Sequence, residues 1–423
     1  MRKLYVYADF DWLKEIEFVG ELGYESLRGS DSYCFTYDKE WLKRHADLIL
    51  SDDLNNYPGQ QHTLPGKDIF GCFSDALPDR WGRTLLLRRE QIMASEEGRP
   101  VRRLSSFDFL TGIDDASRMG GFRFKEEPSG EFINVRESLK IPPLTDIREL
   151  VAASKEFEKS EEANILPDRI WLKQLVQPGS SLGGARPKAS VTDAAKALYV
   201  AKFPSRKDDY DVGLWEHLVH LLAAEAGICT ALTKLISTGE GHHTLLSRRF
   251  DRTQEGRRIH FASAMTLLGL TDGDDAATGY GYLDIVDFIL RGCTDVDANL
   301  RELYRRVAYS ICIGNSDDHF RNHGFLLTPK GWTLSPAYDM NPTLNDHQSL
   351  LISTSSNKSD LGILLDACED YMLDAHEARR IITEVVNVTR GWRRLAVRLG
   401  ASKREMDMFG GVFERELLLS AKL

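Results

Sequence analysis

Gly-Asn-Ser-Asp-Asp-His-Phe-Arg-Asn-His-Gly-Phe-Leu-Leu, residues 314–327, followed by Ser-Pro-Ala-Tyr-Asp-Met-Asn-Pro at 335–342, decides how this chain is read. Just upstream, Leu300, Leu303, Tyr304, Val307, Ala308, Ile311 and Cys312 fit the i, i+3, i+4 template of a buried helix. That helix delivers the chain to a loop, 315–323, in which Asn315, Asp317, Asp318, His319, Arg321, Asn322 and His323 crowd together. Phe325–Leu327 and Trp332–Leu334, separated by Thr-Pro-Lys-Gly, read as a hairpin, and Asp339 follows it. An Asp, an Asn five residues on and a second Asp beyond a hairpin form the arrangement of a phosphoryl-transfer loop. On this reading Asp317 is the base that accepts a hydroxyl proton, while Asn322 and Asp339 hold Mg²⁺ against nucleotide phosphates. His319 and His323 read as loop-packing residues, because no Glu follows His319 to make the helical zinc pattern.

The parts that must accompany such a loop occur upstream in the required order. Ser180–Lys188 is Gly-rich and offers closely spaced backbone N–H groups for phosphate. It is not a Walker A loop, since Lys188 is followed by Ala189. Lys202 ends a period-2 stretch, Ala-Leu-Tyr-Val-Ala-Lys-Phe-Pro at 197–204, from which it can reach the α and β phosphates. Taken alone it reads foremost as an exposed strand lysine. Glu216, on the helix that Gly227 ends, is the candidate ion-pair partner, although Glu225 lies on the same helix. Leu-Leu-Ser-Arg-Arg-Phe-Asp-Arg, 245–252, would be the hinge, with Arg248 beside the adenine edge, Phe250 on its face and Asp251 toward the ribose. A surface salt-bridge turn is the competing reading of those residues.

At 423 residues the chain is long enough for two lobes, and 42% hydrophobic and 28% charged content suit a globular protein. The net charge of −10 makes direct nucleic-acid binding an unfavoured default. Arg80, Arg83, Arg88 and Arg89 cluster locally, which reads foremost as a solvated helix face. The apolar runs are too short to span a bilayer, and the N-terminus lacks the pattern of a signal peptide. Six scattered cysteines without a Cys-x-x-Cys pair point to a reducing cytoplasm. The pattern predicts a strand at 2–8, helices in the second half of 70–86 and at 168–176, a linker at 126–145 and helices after about 365. The expected class is α+β and bilobal, kinase-like, with an N-terminal subdomain at 1–125. An N-lobe core at 145–254 and a helical C-lobe at 255–423 complete it.

These motifs, together and in order, resemble the HipA family of bacterial serine/threonine kinases, the toxin halves of toxin–antitoxin pairs. The likeness runs through Phe-Ser-Asp-Ala-Leu-Pro-Asp-Arg-Trp-Gly-Arg, Ser-Leu-Gly-Gly-Ala-Arg-Pro-Lys and Ala-Lys-Phe-Pro. It continues through Arg-Phe-Asp-Arg and the two segments quoted first, so it covers nearly the whole chain. It implies ATP and Mg²⁺ as cofactors and Lys202 as the ATP lysine. Asp317 becomes the catalytic base, with Asn322 and Asp339 on the metal. Ser181, Gly183, Gly184, Arg248, Phe250, Asp251 and His319 fall on the nucleotide side. It also implies autophosphorylation of Ser181 that silences the enzyme, a helix-turn-helix antitoxin of HipB type that contacts DNA, and an aminoacyl-tRNA synthetase, notably the glutamyl enzyme, as substrate. Two departures stand out. Arg248 occupies a place where some members carry Glu, and Ser180 next to Ser181 leaves the modified position open by one residue. A nucleotide-binding co-repressor scaffold without catalysis is the alternative, and a metal-dependent phosphoesterase a weaker one.

Overall fold

The computed structural model describes residues 1–27, 30–64, 67–135, 141–176, 184–239 and 241–419. The chain forms two compact units, one of Met1–Lys207 with Leu246–Ala262 and one of Asp208–Leu245 with Ser263–Leu423.

The first unit begins with β1 (Arg2–Ala8), β2 (Glu17–Leu27), β3 (Ser30–Tyr37), α1 (Lys39–Arg44) and β4 (Gln60–His62). α2 (Gly71–Ser74), α3 (Arg80–Glu96), α4 (Ser106–Gly112) and β5 (Phe122–Lys125) follow. The five strands pair antiparallel in the order β4-β3-β2-β1-β5. Alternation puts Leu4, Val6 and Ala8 on the buried face of β1, as the sequence predicts. Against that sheet Phe73 of α2 meets Phe35, Phe122 and Phe124 with ring centroids 5.5, 5.5 and 6.0 Å apart. Two arginines of the α3 cluster are engaged within this unit. Arg88 pairs with Glu161, and Arg83 donates to the Pro78 carbonyl.

α5 (Ile147–Glu162) and α6 (Arg169–Val176) pack together, and α6 also rests on α3. β6 (Lys188–Thr192) and β7 (Leu198–Lys202) then pair antiparallel, with Lys188 directly opposite Lys202.

The second unit contains α7 (Val212–Glu225), β8 (Thr233–Ser237) and the start of β9 (His243–Arg248). The chain passes through the first unit along β9 and returns at β10 (Phe261–Ser263) to α8 (Ala264–Leu267), α9 (Tyr282–Gly292) and α10 (Val296–Ile313). β11 (Gly324–Thr328) and β12 (Gly331–Leu334) form the expected hairpin, Phe325 opposite Leu334. α11 (Leu361–Asp366), α12 (Ala375–Thr389), α13 (Trp392–Leu399) and α14 (Lys403–Leu419) complete the chain.

α10 is the central helix of this unit and packs against α9, α12 and α14; every residue from Arg306 to Ile313 is buried. It stops at Gly314, whose φ of +66° makes a left-handed cap. A Cβ there would stand 2.2 Å from Val412 Cγ1, so only glycine fits.

Residues 208–245 depart from the lobe division expected at 145–254. The reason is aromatic packing. Trp215 of α7 is fully buried against Trp392, Phe409 and Phe413, at 6.1, 4.4 and 6.2 Å between centroids. α7 thus joins the C-terminal helices through its side chains even though its sequence neighbours are β-strands. Trp215→Ala should lower the unfolding free energy by about 3–5 kcal/mol, the usual cost of emptying an aromatic core site. Urea denaturation measures this, and a loss below about 1 kcal/mol would refute the cluster as core.

Candidate active site

The loop after Gly314 is organised by a residue whose part the sequence left blank. Asp318 is 4% exposed and accepts hydrogen bonds from Tyr282 Oη at 2.8 Å and Ser310 Oγ at 3.1 Å. His323 Nε2 stands 3.1 Å from its other oxygen. One carboxylate therefore gathers the start of α9, the last turn of α10 and the entry to β11. Burial alone would raise its pKa, but His323, Tyr282 and Ser310 outweigh burial and hold it below the ordinary range. Burial and the adjacent carboxylate both push the Tyr282 hydroxyl well up, which keeps it a donor. Main-chain bonds brace the loop from the other side: Ser349 N donates to Ser316 O at 2.9 Å, and Thr343 N to Gly314 O at 2.9 Å. Asn341 N donates to Asn315 Oδ1 at 3.1 Å.

With Asp318 turned inward, its neighbour Asp317 is exposed. The surrounding protein still removes part of the solvation of its carboxyl, which raises the pKa. The nearby Asp339 and Asp318 carboxylates raise it further, and His319 opposes them. Asn322 Nδ2 donates to the Asp317 carbonyl at 3.0 Å, which leaves its Oδ1 as the end of the amide able to meet a cation. Asp339 sits at φ +56°, a left-handed conformation that side-chain-bearing residues adopt rarely and functional residues adopt more often. Asn341 Nδ2 lies 3.4 Å from Asp339 Oδ1, and Asn341 Oδ1 is buried without a partner among the described residues.

This donor set suits a hard cation. Mg²⁺ takes one or two protein oxygens and completes its shell with water and phosphate, and Asn322 Oδ1 and Asp339 supply such oxygens. Among the described residues no three His, Cys, Asp or Glu side chains converge in a metal-holding group. Asp317 and His319 also line a cavity of about 200 Å³ with Asp272, Asp274, Asp275 and Ser349.

The residues of the first unit that the sequence reading assigns to the nucleotide are placed unequally. Lys202 is half-buried at the end of β7. Ser180, Ser181 and Gly183 lie outside the described residues, whereas Gly184 is described, with φ +87°. Phe250 is half-buried, its ring 5.9 Å from Phe261. Arg248 lines a cavity of about 610 Å³ with Lys196, Leu198 and Asp114. Burial pushes the Asp114 carboxyl up to about 6.

Asp251 requires a correction. The sequence reading turns it toward a ribose or makes it a surface salt bridge, but the side chain is fully buried. It takes both Arg249 and Arg252, each at 2.6 Å, and accepts from Gly120 N at 2.9 Å. The two guanidiniums overcome the penalty of burial and drive its pKa far down. Asp251 is therefore an internal clasp. In the second unit, burial separates the two glutamates of α7. Glu216 is buried with His220 Nε2 at 4.0 Å, and Glu225 is exposed at the end of the helix.

A family model of the HipA-like C-terminal domain matches residues 180–392, and one of the HipA N-terminal domain matches residues 12–107. The chain belongs to the HipA family. Among curated HipA-related proteins, the serine/threonine-protein kinase toxin HipA of Shewanella oneidensis is 21% identical over 349 residues. That alignment covers 76% of this chain and 72% of that protein. A proposed kinase of Haemophilus influenzae is 28% identical over 188 residues, or 40% of this chain and 54% of that protein, so the chain spans about half the length of this relative. A chain in the solved complex of HipA, HipB and operator DNA from Shewanella oneidensis MR-1 superposes with a TM-score of 0.69 at 17% identity. It covers 99% of this chain and 96% of that one. The α+β, kinase-like HipA fold is thereby shared.

The Asp318 network gives a pH-dependent test. Its folded-state pKa is depressed, so its stabilisation is present above the unfolded value and is lost as pH falls through the folded one. Asp318→Asn should cost about 3–5 kcal/mol near neutrality, as for one partner of a buried pair. The gap to wild type should close only below about pH 4. Denaturant titrations across pH 3–8 measure it; a pH-independent gap would remove the carboxylate charge from the account.

Proposed function

We propose that this chain is an ATP- and Mg²⁺-dependent serine/threonine protein kinase, the toxin half of a toxin–antitoxin pair. The observation that carries the reading is one loop system in which a buried Asp318 presents Asp317 outward, beside Asn322, whose Nδ2 is tied to the Asp317 carbonyl, and a left-handed Asp339. Asp317 accepts the proton of the target hydroxyl as that oxygen bonds to the γ-phosphorus; the bond to the β–γ bridging oxygen breaks and ADP leaves. Asn322 and Asp339 would hold Mg²⁺, which would neutralise charge on the phosphates. Lys202 is the residue that would orient the α and β phosphates, to which the Gly-rich segment would offer backbone N–H groups. Arg248 and Phe250 frame the adenine, and His319 faces the nucleotide beside the base.

Ser181, or Ser180 beside it, is the proposed site of silencing autophosphorylation. The partner is a helix-turn-helix antitoxin of HipB type through which the assembly meets DNA, a proposal supported by the Shewanella complex. The target is a translation protein such as glutamyl-tRNA synthetase, by family resemblance. Cytoplasmic residence is supported by six cysteines that are all free. No described helix is long and apolar enough to cross a membrane.

Incubation with γ-labelled ATP and Mg²⁺, followed by mass spectrometry, tests the proposal. Label should appear on Ser180 or Ser181 in wild type and vanish with chelator. Asp317→Asn should lower kcat by about 10²–10⁴-fold, the worth of a general base. Because the pKa of Asp317 is raised in the free protein, the acid limb of wild-type kcat/KM should lie above the range of an ordinary carboxylate. ATP binding without any incorporation, in protein unmodified at the start, would favour the co-repressor scaffold instead.

A further inference from the structure

The segment Phe-Ser-Asp-Ala-Leu-Pro-Asp-Arg-Trp-Gly-Arg, residues 73–83, has no part in the transfer just described. Within the first unit, however, it meets the exit of the Gly-rich segment. Asp79 caps α3 by accepting from Gly82 N at 2.8 Å, and its other oxygen lies 3.0 Å from Lys188 Nζ. Both side chains are 2% exposed. Trp81 adds two bonds. Its main-chain N donates to Gly184 O at 3.3 Å, and its indole Nε1 donates to Lys188 O at 3.0 Å. Phe157 holds the indole edge-on, with centroids 5.2 Å apart. The Lys188 ammonium folds back beneath Gly184, 3.3 Å from where a Cβ would stand.

The strand register extends this contact to the candidate ATP lysine. Lys188 is directly opposite Lys202 across β6 and β7. Opposed residues of an antiparallel pair share a face, and like charges there repel. Asp79 cancels the charge of Lys188 and so removes that repulsion from Lys202. The geometry points to Asp79, Trp81 and Lys188 as positioning residues: the N-terminus of α3 clamps the exit of the Gly-rich segment and sets where Gly184 and Lys202 stand for the phosphates. This inference rests on the kinase reading of Lys202 and the Gly-rich segment. A pre-ordered cradle lowers the ordering cost of binding nucleotide, so its loss falls on KM for ATP more than on kcat.

Three full-length variants test the clamp. Trp81→Phe keeps an aromatic ring near Phe157 and removes the Nε1 donor. Asp79→Asn keeps a good helix cap and removes the charge. The double variant Asp79→Asn with Lys188→Met deletes the buried pair as a whole, a change that is often neutral for stability. Each is measured by thermal unfolding, by amide hydrogen exchange over 184–188 and by ATP kinetics. We expect exchange over 184–188 to quicken about tenfold or more and KM for ATP to rise about five- to twentyfold, with kcat within about twofold. The double variant should regain Tm and relieve the repulsion of Lys202, yet KM should stay above wild type because the tether between Asp79 and Lys188 is gone. Folded variants with unchanged exchange and KM overturn the clamp, as does a KM that recovers together with Tm in the double variant. Should wild type transfer no phosphate, the kinase reading fails separately. Exchange then decides the clamp alone: opening of 184–188 in both single variants upholds it, and equal exchange overturns it.

Discussion

The second unit depends on a single buried negative charge. A carboxylate withdrawn from water is tolerated only when donors surround it, and Asp318 satisfies that demand by drawing in Tyr282, Ser310 and His323 from three separate elements. The same requirement fixes the course of the loop. Once Asp318 points inward, the backbone turns Asp317 outward, and the bonds from Asn341, Thr343 and Ser349 prevent the loop from relaxing. A chemically ordinary exposed acid thus acquires a defined position from its buried neighbour. Precision of that kind is what phosphoryl transfer requires, since its catalysis rests on placement and charge more than on covalent chemistry.

Asp79 and Asp251 meet the same physical demand in the first unit with different partners. Asp79 is matched by an ammonium and a helix N-terminus, Asp251 by two guanidiniums and a main-chain N–H. In each case the acid joins segments distant in the chain. Asp79 ties the start of α3 to β6, and Asp251 ties the exit of β9 to the turn before β5.

Local pattern was legible in the sequence where one period or one short motif decides the outcome. The apolar spacing of 300–312 is α10, the alternation at 2–8 is β1, and the Thr-Pro-Lys-Gly turn is the β11–β12 hairpin. Asp317, Asn322 and Asp339 are candidates on spacing alone, and the structure adds the backbone setting of each. Long-range pairing was not legible. Nothing in Arg-Phe-Asp-Arg reveals that its acid will be sealed inside, because Gly120, Ser117 and Arg118 that help seal it lie more than a hundred residues earlier. Likewise, Trp215 could not disclose that its partners wait at 392, 409 and 413, so the helix carrying it was grouped with the strands on either side. The doubled acid Asp317–Asp318 was visible, but which member faces water depends on Tyr282 and Ser310.

The Asp251 clasp also governs the order in which the chain can mature as it is made. Gly120 and Asp251 are 131 residues apart, an interval that a ribosome covers in roughly 7–26 s. Throughout that time the N-terminal sheet exists without the acid that later sits beside its turn. Arg118, fully buried, is meanwhile served by the carbonyls of Ala76, Leu110 and Ile113, so the early sheet carries its own provisional satisfaction. The residues made in between include 208–245, which belong to the second unit. Synthesis of the first unit is therefore interrupted by part of the second, and neither can be finished from the ribosome as a simple bead on a string.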